Sequence, residues 1–304
     1  MIDFTVTILG NGSAVPTQWQ NPSGQVVVYG GNMFLVDCGE ATQMQLLKYQ
    51  INKSAIDHIF ISHLHGDHFF GLIGLLSSYH LNYREKPLHI YAPEKLQDLI
   101  VHSLNVTQTT LRFDLLFHPH EKNTNGFLFT IKNLEAGLFP LKHSIPSWGI
   151  IFREIQLQLN IDKNFIEEYH PSFEQIKKIK EGSDFVLEDG NVIPNSEITK
   201  KPNHLRSYAY CSDTAFDLSI VTFVKDVSLL YHESTFIDSQ TELAESVLHS
   251  TASQAATIAL KANAEKLLLG HFSSRVKERE LFEKEARTIF GSAYLSFEGE
   301  TYRV

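Results

Sequence analysis

The run His63-Leu64-His65-Gly66-Asp67-His68 places three imidazoles and one carboxylate within six residues. Imidazole nitrogen with carboxylate oxygen is a donor set that suits zinc and its neighbours among the divalent metals. Four donors are more than one catalytic ion with an open position requires. The alternation can split them, with His63 and His65 toward one ion and Asp67 and His68 toward the next. Two ions about 3.5–4 Å apart form a clamp for in-line displacement at phosphorus. A structural metal site or surface histidines are the alternative. A pair of ions needs further donors, and His143 in LKHSIPSWG, Asp213 in YCSDT and His271 in LLLGHFSSR each follow a strand-like run that ends in a turn. His249 precedes Thr251-Ala-Ser-Gln254, which has the form of a capping box opening a helix over 252–263. Backbone N–H groups at such a helix start favour a phosphate; the plainer reading is an ordinary loop histidine.

These residues need rigid elements behind them. FTVTIL (4–9), QVVVY (25–29), NMFLVDCGE (32–40), HIFIS (58–62) and LHIYAP (88–93) read as strands, and 41–50, 69–80 and 94–105 take helical spacing. Short strands are expected around 111–117, 127–131 and 137–141. Further on, 207–214, 227–235 and 266–272 are strand-like, and a last helix is expected around 278–290. The metal motif follows a buried strand, and ligand loops in α/β sheets lie at the carboxyl ends of strands. Mixed strands and helices in both halves predict two α/β layers sharing one core, a single domain over 1–304. The segment 153–206 differs: 18 of its 54 residues are charged, against 20% for the whole chain, so an exposed insertion is expected there.

Composition narrows the function. Of 304 residues 43% are hydrophobic, enough for a substantial core, which excludes intrinsic disorder. Twenty-six basic against 35 acidic residues leave a net charge of −9, which argues against broad, nonspecific nucleic-acid binding but not against a local basic site. Cys38 and Cys211 are too few for a disulfide framework and read as buried free thiols. MIDFTVTILG has no basic n-region, and no apolar run approaches the ~18 residues of a membrane span. A soluble, cytoplasmic protein is expected.

Asp37 in FLVDCGE, the His63–His68 motif, His143, Asp213 and His271 resemble the five ordered motifs of the metallo-β-lactamase superfamily. Within it, HESTF (232–236), HST (249–251) and HFSSR (271–275) are similar to the ribonuclease Z family of tRNA 3′-processing endonucleases. The resemblance runs from Leu9 to about Arg275. It implies an αββα sandwich with two zinc ions at one edge. His63, His65 and His143 would hold one ion, Asp67, His68 and His271 the other, and Asp213 with a water or hydroxide would bridge both. Asp67 would accept the proton of the attacking water, and Asp37 would orient ligands, although it also suits a cap for the helix at 41–50. His249 would protonate the leaving ribose 3′-oxygen, with Glu233 orienting it. The substrate implied is precursor tRNA. The insertion would be an RNA-gripping arm of a homodimer, with Lys177, Lys178 and Lys180 as its phosphate contacts.

Three departures stand out. The family's P-x-K-x-R-N loop, which helps reject tRNAs carrying CCA, stands here as Pro16-Thr17-Gln18-Trp19-Gln20-Asn21 without either basic residue. Ser212 replaces the glycine before the motif aspartate, and the arm reads EYHPSFEQIKKIKEG (168–182) without the usual Gly-Pro tip. The rival readings are another binuclear hydrolase of this fold (small-molecule phosphodiesterase, arylsulfatase or thioester hydrolase), a di-iron flavoprotein, and a catalytically dead RNA-binding relative. A di-iron site favours a carboxylate where His65 stands, and every expected ligand is intact.

Overall fold

The β-branched runs pair as strands: β1 (Phe4–Gly10), β2 (Gly24–Tyr29), β3 (Asn32–Cys38), β4 (Ile56–Phe60), β5 (Leu88–Pro93) and β6 (Leu115–His120). A computed structural model describes residues 2–121, 125–155, 159–187, 189–200 and 205–304; Glu188 and Lys201, two charges of the 153–206 segment, lie outside them. The second set of strands is β7 (Gly126–Ile131), β8 (Leu134–Leu141), β9 (Ser147–Glu154), β14 (Ser207–Cys211), β15 (Leu229–Glu233), β16 (Lys266–Gly270) and β17 (Ala293–Leu295). With β18 (Thr301–Arg303) they build two seven-stranded sheets, ordered β18-β1-β2-β3-β4-β5-β6 and β17-β16-β15-β14-β9-β8-β7.

From β3 to β6, and again from β14 to β17, neighbours run parallel. Parallel neighbours need crossovers, which helices supply. In the first half these are α1 (Thr42–Lys48), α2 (Gly66–Phe69), α3 (Gly71–Leu81) and α4 (Lys95–Val106). In the second they are α8 (Ile220–Phe223), α9 (Thr241–Ser246), α10 (Ala252–Lys261) and α11 (Glu280–Arg287).

Strand alternation sorts the side chains. Ile59 of β4 packs with Leu72, Leu75 and Leu76 of α3 and Leu96 of α4, whereas Phe60 points the other way, 5.4 Å from Phe152 of the second sheet. Each such buried side chain contributes about 1.5–3 kcal/mol. On the far side, Ala255, Ala256 and Ala259 let α10 lie close on β14–β16, with Phe282 of α11 beside them. The layers are therefore helix, sheet, sheet, helix, as the resemblance implies. Both cysteines are buried free thiols.

These layers belong to one compact unit comprising the residues up to Leu128, Ala136–Phe152 and Ser207–Val304. The other unit, Phe129–Glu135 with Arg153–Arg206, has a small core of its own in Phe165, Ile179, Phe185 and Ile198. Its elements are β10 (Asn160–Ile161) paired with β13 (Thr199–Lys200), β11 (Phe185–Val186) paired with β12 (Val192–Ile193), α5 (Lys163–Tyr169), α6 (Phe173–Lys180) and α7 (Asn195–Ile198). Ser172 and Gln175 close a capping box on α6, and the Asn195 amide donates to the carbonyls of Ile179 and Ser183, both at 2.7 Å.

Two expectations shift. The strand expected at 111–117 begins only at Leu115, because Phe113 is buried beside the Tyr79 ring and the Arg112 guanidinium sits over Tyr83 at 4.7 Å. Strands β9 and β18 were not expected. β9 is a nearly continuous buried run, and β18 exists by pairing with β1 across the whole chain.

On the sheet face that carries Phe60, His58, His89 and His118 stack across β4, β5 and β6, with ring centroids 4.7 and 5.2 Å apart. Burial first, then the neighbouring His89, hold His58 down at about 4. In the unfolded chain it would take its proton near 6.5. Unfolding therefore binds protons in this window, and stability should fall as pH drops from 6.5 toward 4. His58→Phe should flatten that fall in urea unfolding at pH 7 and pH 4.5. Equal losses in both proteins would show that His58 does not contribute.

Candidate metal centre

The chemistry-bearing residues sit where the parallel strands end. Asp37 lies at the end of β3, His63 beyond β4, Asp213 beyond β14, Glu233 at the end of β15 and His271 after β16. Asp37 and His271 have φ of 57° and 58°. Residues with a Cβ rarely adopt this left-handed region, and such strain gathers at functional sites. A Cβ on Gly39 would stand 2.3 Å from the Asp67 carbonyl oxygen, so glycine there lets the chain after β3 lie against the metal-motif loop.

Donor atoms converge in overlapping groups. His63, His65, His143 and Asp213 form one and Asp67, His68 and His271 another, while Asp213 and His271 also meet His249, with the donor atoms of each group within 4.8 Å of one another. His65 Nδ1 lies 3.1 Å from His63 Nε2 and 3.2 Å from His143 Nε2. Nitrogens placed tetrahedrally 2.0–2.1 Å from zinc would stand about 3.3 Å apart. Asp213 joins the groups. Its Oδ2 faces His63 at 3.6 Å and His143 at 3.9 Å, while Oδ1 faces His68 at 3.4 Å and His271 at 3.2 Å.

Hydrogen bonds fix which ring nitrogen points inward. His68 Nδ1 donates to Asp37 Oδ2 at 2.7 Å, His63 Nδ1 to Ser62 Oγ at 3.0 Å, His143 Nδ1 to the Leu248 carbonyl at 2.9 Å and His271 Nδ1 to Thr235 Oγ1 at 2.9 Å. Each ring then turns its Nε2 toward the cluster, as metal-binding histidines do. His68 Nε2, Asp213 Oδ1 and His271 Nε2 are buried and have no hydrogen-bond partner among the described residues. Orphaned buried acceptors are costly unless an ion satisfies them. The residues present therefore fit a metal centre.

The electrostatics around Asp213 are not uniform: burial opposes a charged His68, yet Asp213, Asp37 and Asp67 outweigh it and push this imidazole well above its ordinary range, so a metal there competes with a proton. Burial, then His68, hold His63 well below its ordinary range, keeping a neutral donor. Burial would raise Asp213, but His271, His68 and His63 outweigh it and keep the carboxylate ionised. Beside the first two groups, His249 Nε2 is 4.0 Å from Asp213 Oδ2, and its Nδ1 meets the buried Glu233 Oε1 at 2.7 Å. Burial opposes a charged His249, yet Glu233 outweighs it and lifts the imidazole to about 9. Thr251 and Gln254 form the expected capping box, so α10 begins just beyond His249.

The structure also names partners that were not singled out beforehand. Ser62 donates to Asp37 through both N and Oγ, at 2.8 and 2.9 Å, and Tyr210 OH donates to Asp37 Oδ2 at 2.7 Å. Helix α1 has Ala41 as its N-cap with no side-chain cap bond, so the reading of Asp37 as a helix cap is corrected: its oxygens are committed to Ser62, His68 and Tyr210. Ser212, one of the three departures, places its Oγ 3.0 Å from Ser62 Oγ and so joins this network. Thr235 binds Glu233 Oε2 through N and Oγ1, at 2.9 and 2.7 Å. The position of Ser62 beside His63 and of Thr235 in the HEST run was the available signal.

The segment just before the loop that lacks basic residues braces the second group. Ala14 N donates to Asp67 Oδ2 at 2.8 Å, and Asn11 and Ser13 bond the backbone of Phe272, next to His271. Glu298 anchors the loop's far end, accepting from Asn21 N at 2.6 Å and Asn21 Nδ2 at 2.7 Å. Lys177, Lys178 and Lys180 belong to the other unit. On α6 the first two are exposed and Lys180 is half-buried, with an exposed Phe173 four residues before Lys177.

Two seven-stranded sheets flanked by helices, with this doubled histidine–aspartate cluster at the strand ends, define a metallo-β-lactamase-fold protein. The chain is similar over its full length to the metallo-β-lactamase-fold protein YhfI of Bacillus subtilis, with TM-score 0.70, 19% identity and complete coverage of both chains. A family model described as "Anti-Pycsar protein Apyc1" matches residues 4–196. The ribonuclease Z of Bacteroides fragilis is 40% identical over 298 residues, 98% of each chain, and that of Cytophaga hutchinsonii is 40% identical over 304 residues, all of this chain and 97% of the relative. The short form of human tRNase Z superposes with TM-score 0.72 at 28% identity, covering 99% of both chains. The chain belongs to the ribonuclease Z family.

Removing a carboxylate that orients a metal-binding histidine typically costs 10–100-fold in affinity. Asp37→Ala should lower metal affinity by about that factor in chelator competition, while Ser212→Gly, which keeps Asp37 and Ser62, should lower it far less. Equal affinities in Asp37→Ala and the intact protein would remove Asp37 from the centre.

Proposed function

We propose that this protein is a zinc-dependent endoribonuclease that removes the 3′ trailer from precursor tRNA and leaves a 3′-hydroxyl on the tRNA. The observation that supports it most is Asp213, whose two oxygens face two separate donor groups, with His249 held beside them by Glu233. In this reading His63, His65 and His143 would hold one ion and Asp67, His68 and His271 the other, with Asp213 available to both. Two zinc ions held there would lower the pKa of water and offset charge on the phosphate oxygens.

The chain's own residues do the rest. Asp67, oriented by the Ala14 N–H, takes the proton of the attacking water. As water adds to phosphorus, the bond to the ribose 3′-oxygen breaks and the trailer keeps the 5′-phosphate. His249, charged near neutral pH, gives its Nε2 proton to that leaving oxygen while Glu233 holds Nδ1. The N-terminus of α10 adds backbone dipoles that favour the phosphate. Precursor tRNA is a polyanion and the chain is acidic, so attraction must be local, and Lys177, Lys178 and Lys180 are the residues proposed for it. A homodimer in the cytoplasm completes the reading, supported by the family resemblance; no helix among the described residues is long and apolar enough to cross a membrane.

Incubation with a 3′-extended precursor tRNA should yield tRNA ending in a 3′-hydroxyl and a trailer bearing a 5′-phosphate. Uncut tRNA alongside hydrolysed small phosphodiesters would favour the small-molecule phosphodiesterase reading. His249→Ala should retain its metal by elemental analysis yet lose about 10²–10⁴-fold in single-turnover rate, the usual worth of a general acid. Replacing the three lysines with alanine should flatten the salt dependence of tRNA binding by about two to three units of slope; an unchanged slope would make the α6 lysines a solvated face.

A further inference from the structure

We propose that Phe70 is a stacking platform for a nucleobase next to the phosphate that is cut, so that the RNA is gripped at the reaction centre by a ring as well as by charge. This rests on the endoribonuclease reading above. Phe70 is 64% exposed, whereas Phe69 and Phe272, its aromatic neighbours in sequence or around the centre, are buried. The ring is nonetheless held. A Cβ on Gly66 would stand 2.1 Å from it, so it lies against that glycine, and the Phe69 ring meets it edge-on at 4.8 Å. A large apolar side chain fixed from beneath and open to solvent loses little conformational freedom on binding a flat partner.

Its place points to the partner. Phe70 follows Asp67 by three residues across the turn Gly66–Phe69, and side chains at that spacing share one side of a helix with Cβ atoms about 5–6 Å apart. Both line a cavity of about 470 Å³ together with Asp213, His249 and His271. That volume lies within the range of small-molecule sites and is ample for one nucleotide. The same cavity has an apolar portion in Val15, Pro16 and Phe70, which the metal centre does not use. The other charged group lining it, Glu40, repels phosphate, so the neutral base is the part of a nucleotide that suits this wall. Stacking on an aromatic ring tolerates any base.

The test uses the holoenzyme and its Phe70→Ala and Phe70→Trp variants in single-turnover cleavage of a precursor tRNA. Parallel substrates carry an abasic nucleotide on either side of the cleaved bond. Phe70→Ala should raise the half-saturating RNA concentration roughly 5- to 150-fold, the usual worth of one stacked base, and Phe70→Trp should restore it. On the substrate lacking the stacked base, the intact protein and Phe70→Ala should converge, since each change removes the same contact. If intact protein and Phe70→Ala cut normal precursor tRNA with the same half-saturation, the stacking idea falls and the endoribonuclease reading stands. If the effect of Phe70→Ala persists undiminished on both abasic substrates, or the variant only shifts the chain from dimer to monomer, the ring serves something other than a base and the idea again falls. Precursor tRNA left uncut by the intact protein overturns both.

Discussion

A carboxylate shut away from water is tolerated when donors surround it, and Asp37 is such a group. It is fully buried at the end of β3, with a left-handed backbone, and it accepts from Ser62 N, Ser62 Oγ, His68 Nδ1 and Tyr210 OH. Those donors come from both sheets: Ser62 follows β4, whereas Tyr210 lies on β14. One side chain thereby ties the two layers together at the edge where the chemistry is, and each buried donor left unmet would cost about 1–3 kcal/mol. Through Ser62 the same network reaches His63 and Ser212.

Glu233 plays the matching part on the opposite side of the centre. It too is buried, and it accepts from Thr214 N, Thr235 N, Thr235 Oγ1 and His249 Nδ1. Thr235 passes the constraint on to His271. The donor geometry therefore rests on two saturated carboxylates: Asp37 holds the outward nitrogen of His68 and Glu233 that of His249, while Ser62 and Thr235, bound to them, hold those of His63 and His271. Against the cost of burial, Asp213 and then Asp37 lift His68 and Glu233 lifts His249, whereas burial holds His63 down.

Much of this was legible in the chain. The strand runs and the ordered histidines and aspartates each carry a local signal, because a period-two apolar pattern or a cluster of donors needs no knowledge of what lies across the fold. The capping box before α10 was equally local. Pairings between distant segments were hidden. Asp37 carries the same letters whether it caps a helix or receives a tyrosine 173 residues later, and only the latter is true here. Ser212 stood out only as a serine where the family has glycine, and it is a hydrogen-bonding member of the network. The Pro16–Asn21 loop could be judged only by the basic residues it lacks, since its bonds to Glu298, like that of the preceding Ala14 to Asp67, join segments far apart.

The pairing of β1 with β18 also has a bearing on how the molecule comes into being. Thr7 and Thr301 are hydrogen-bonded neighbours separated by 294 residues. A ribosome adding about 5–20 residues per second takes on the order of fifteen seconds to a minute between them. Throughout that interval the edge of β1 has no β18 to pair with, and Asn11, which binds the backbone beside His271, waits for Ser296. The braces on the second donor group are thus completed only after Ser296 has been added. A nascent chain carries the metal-motif histidines long before it can hold them in place, and the ability to cut RNA waits on a segment made long after the motif itself.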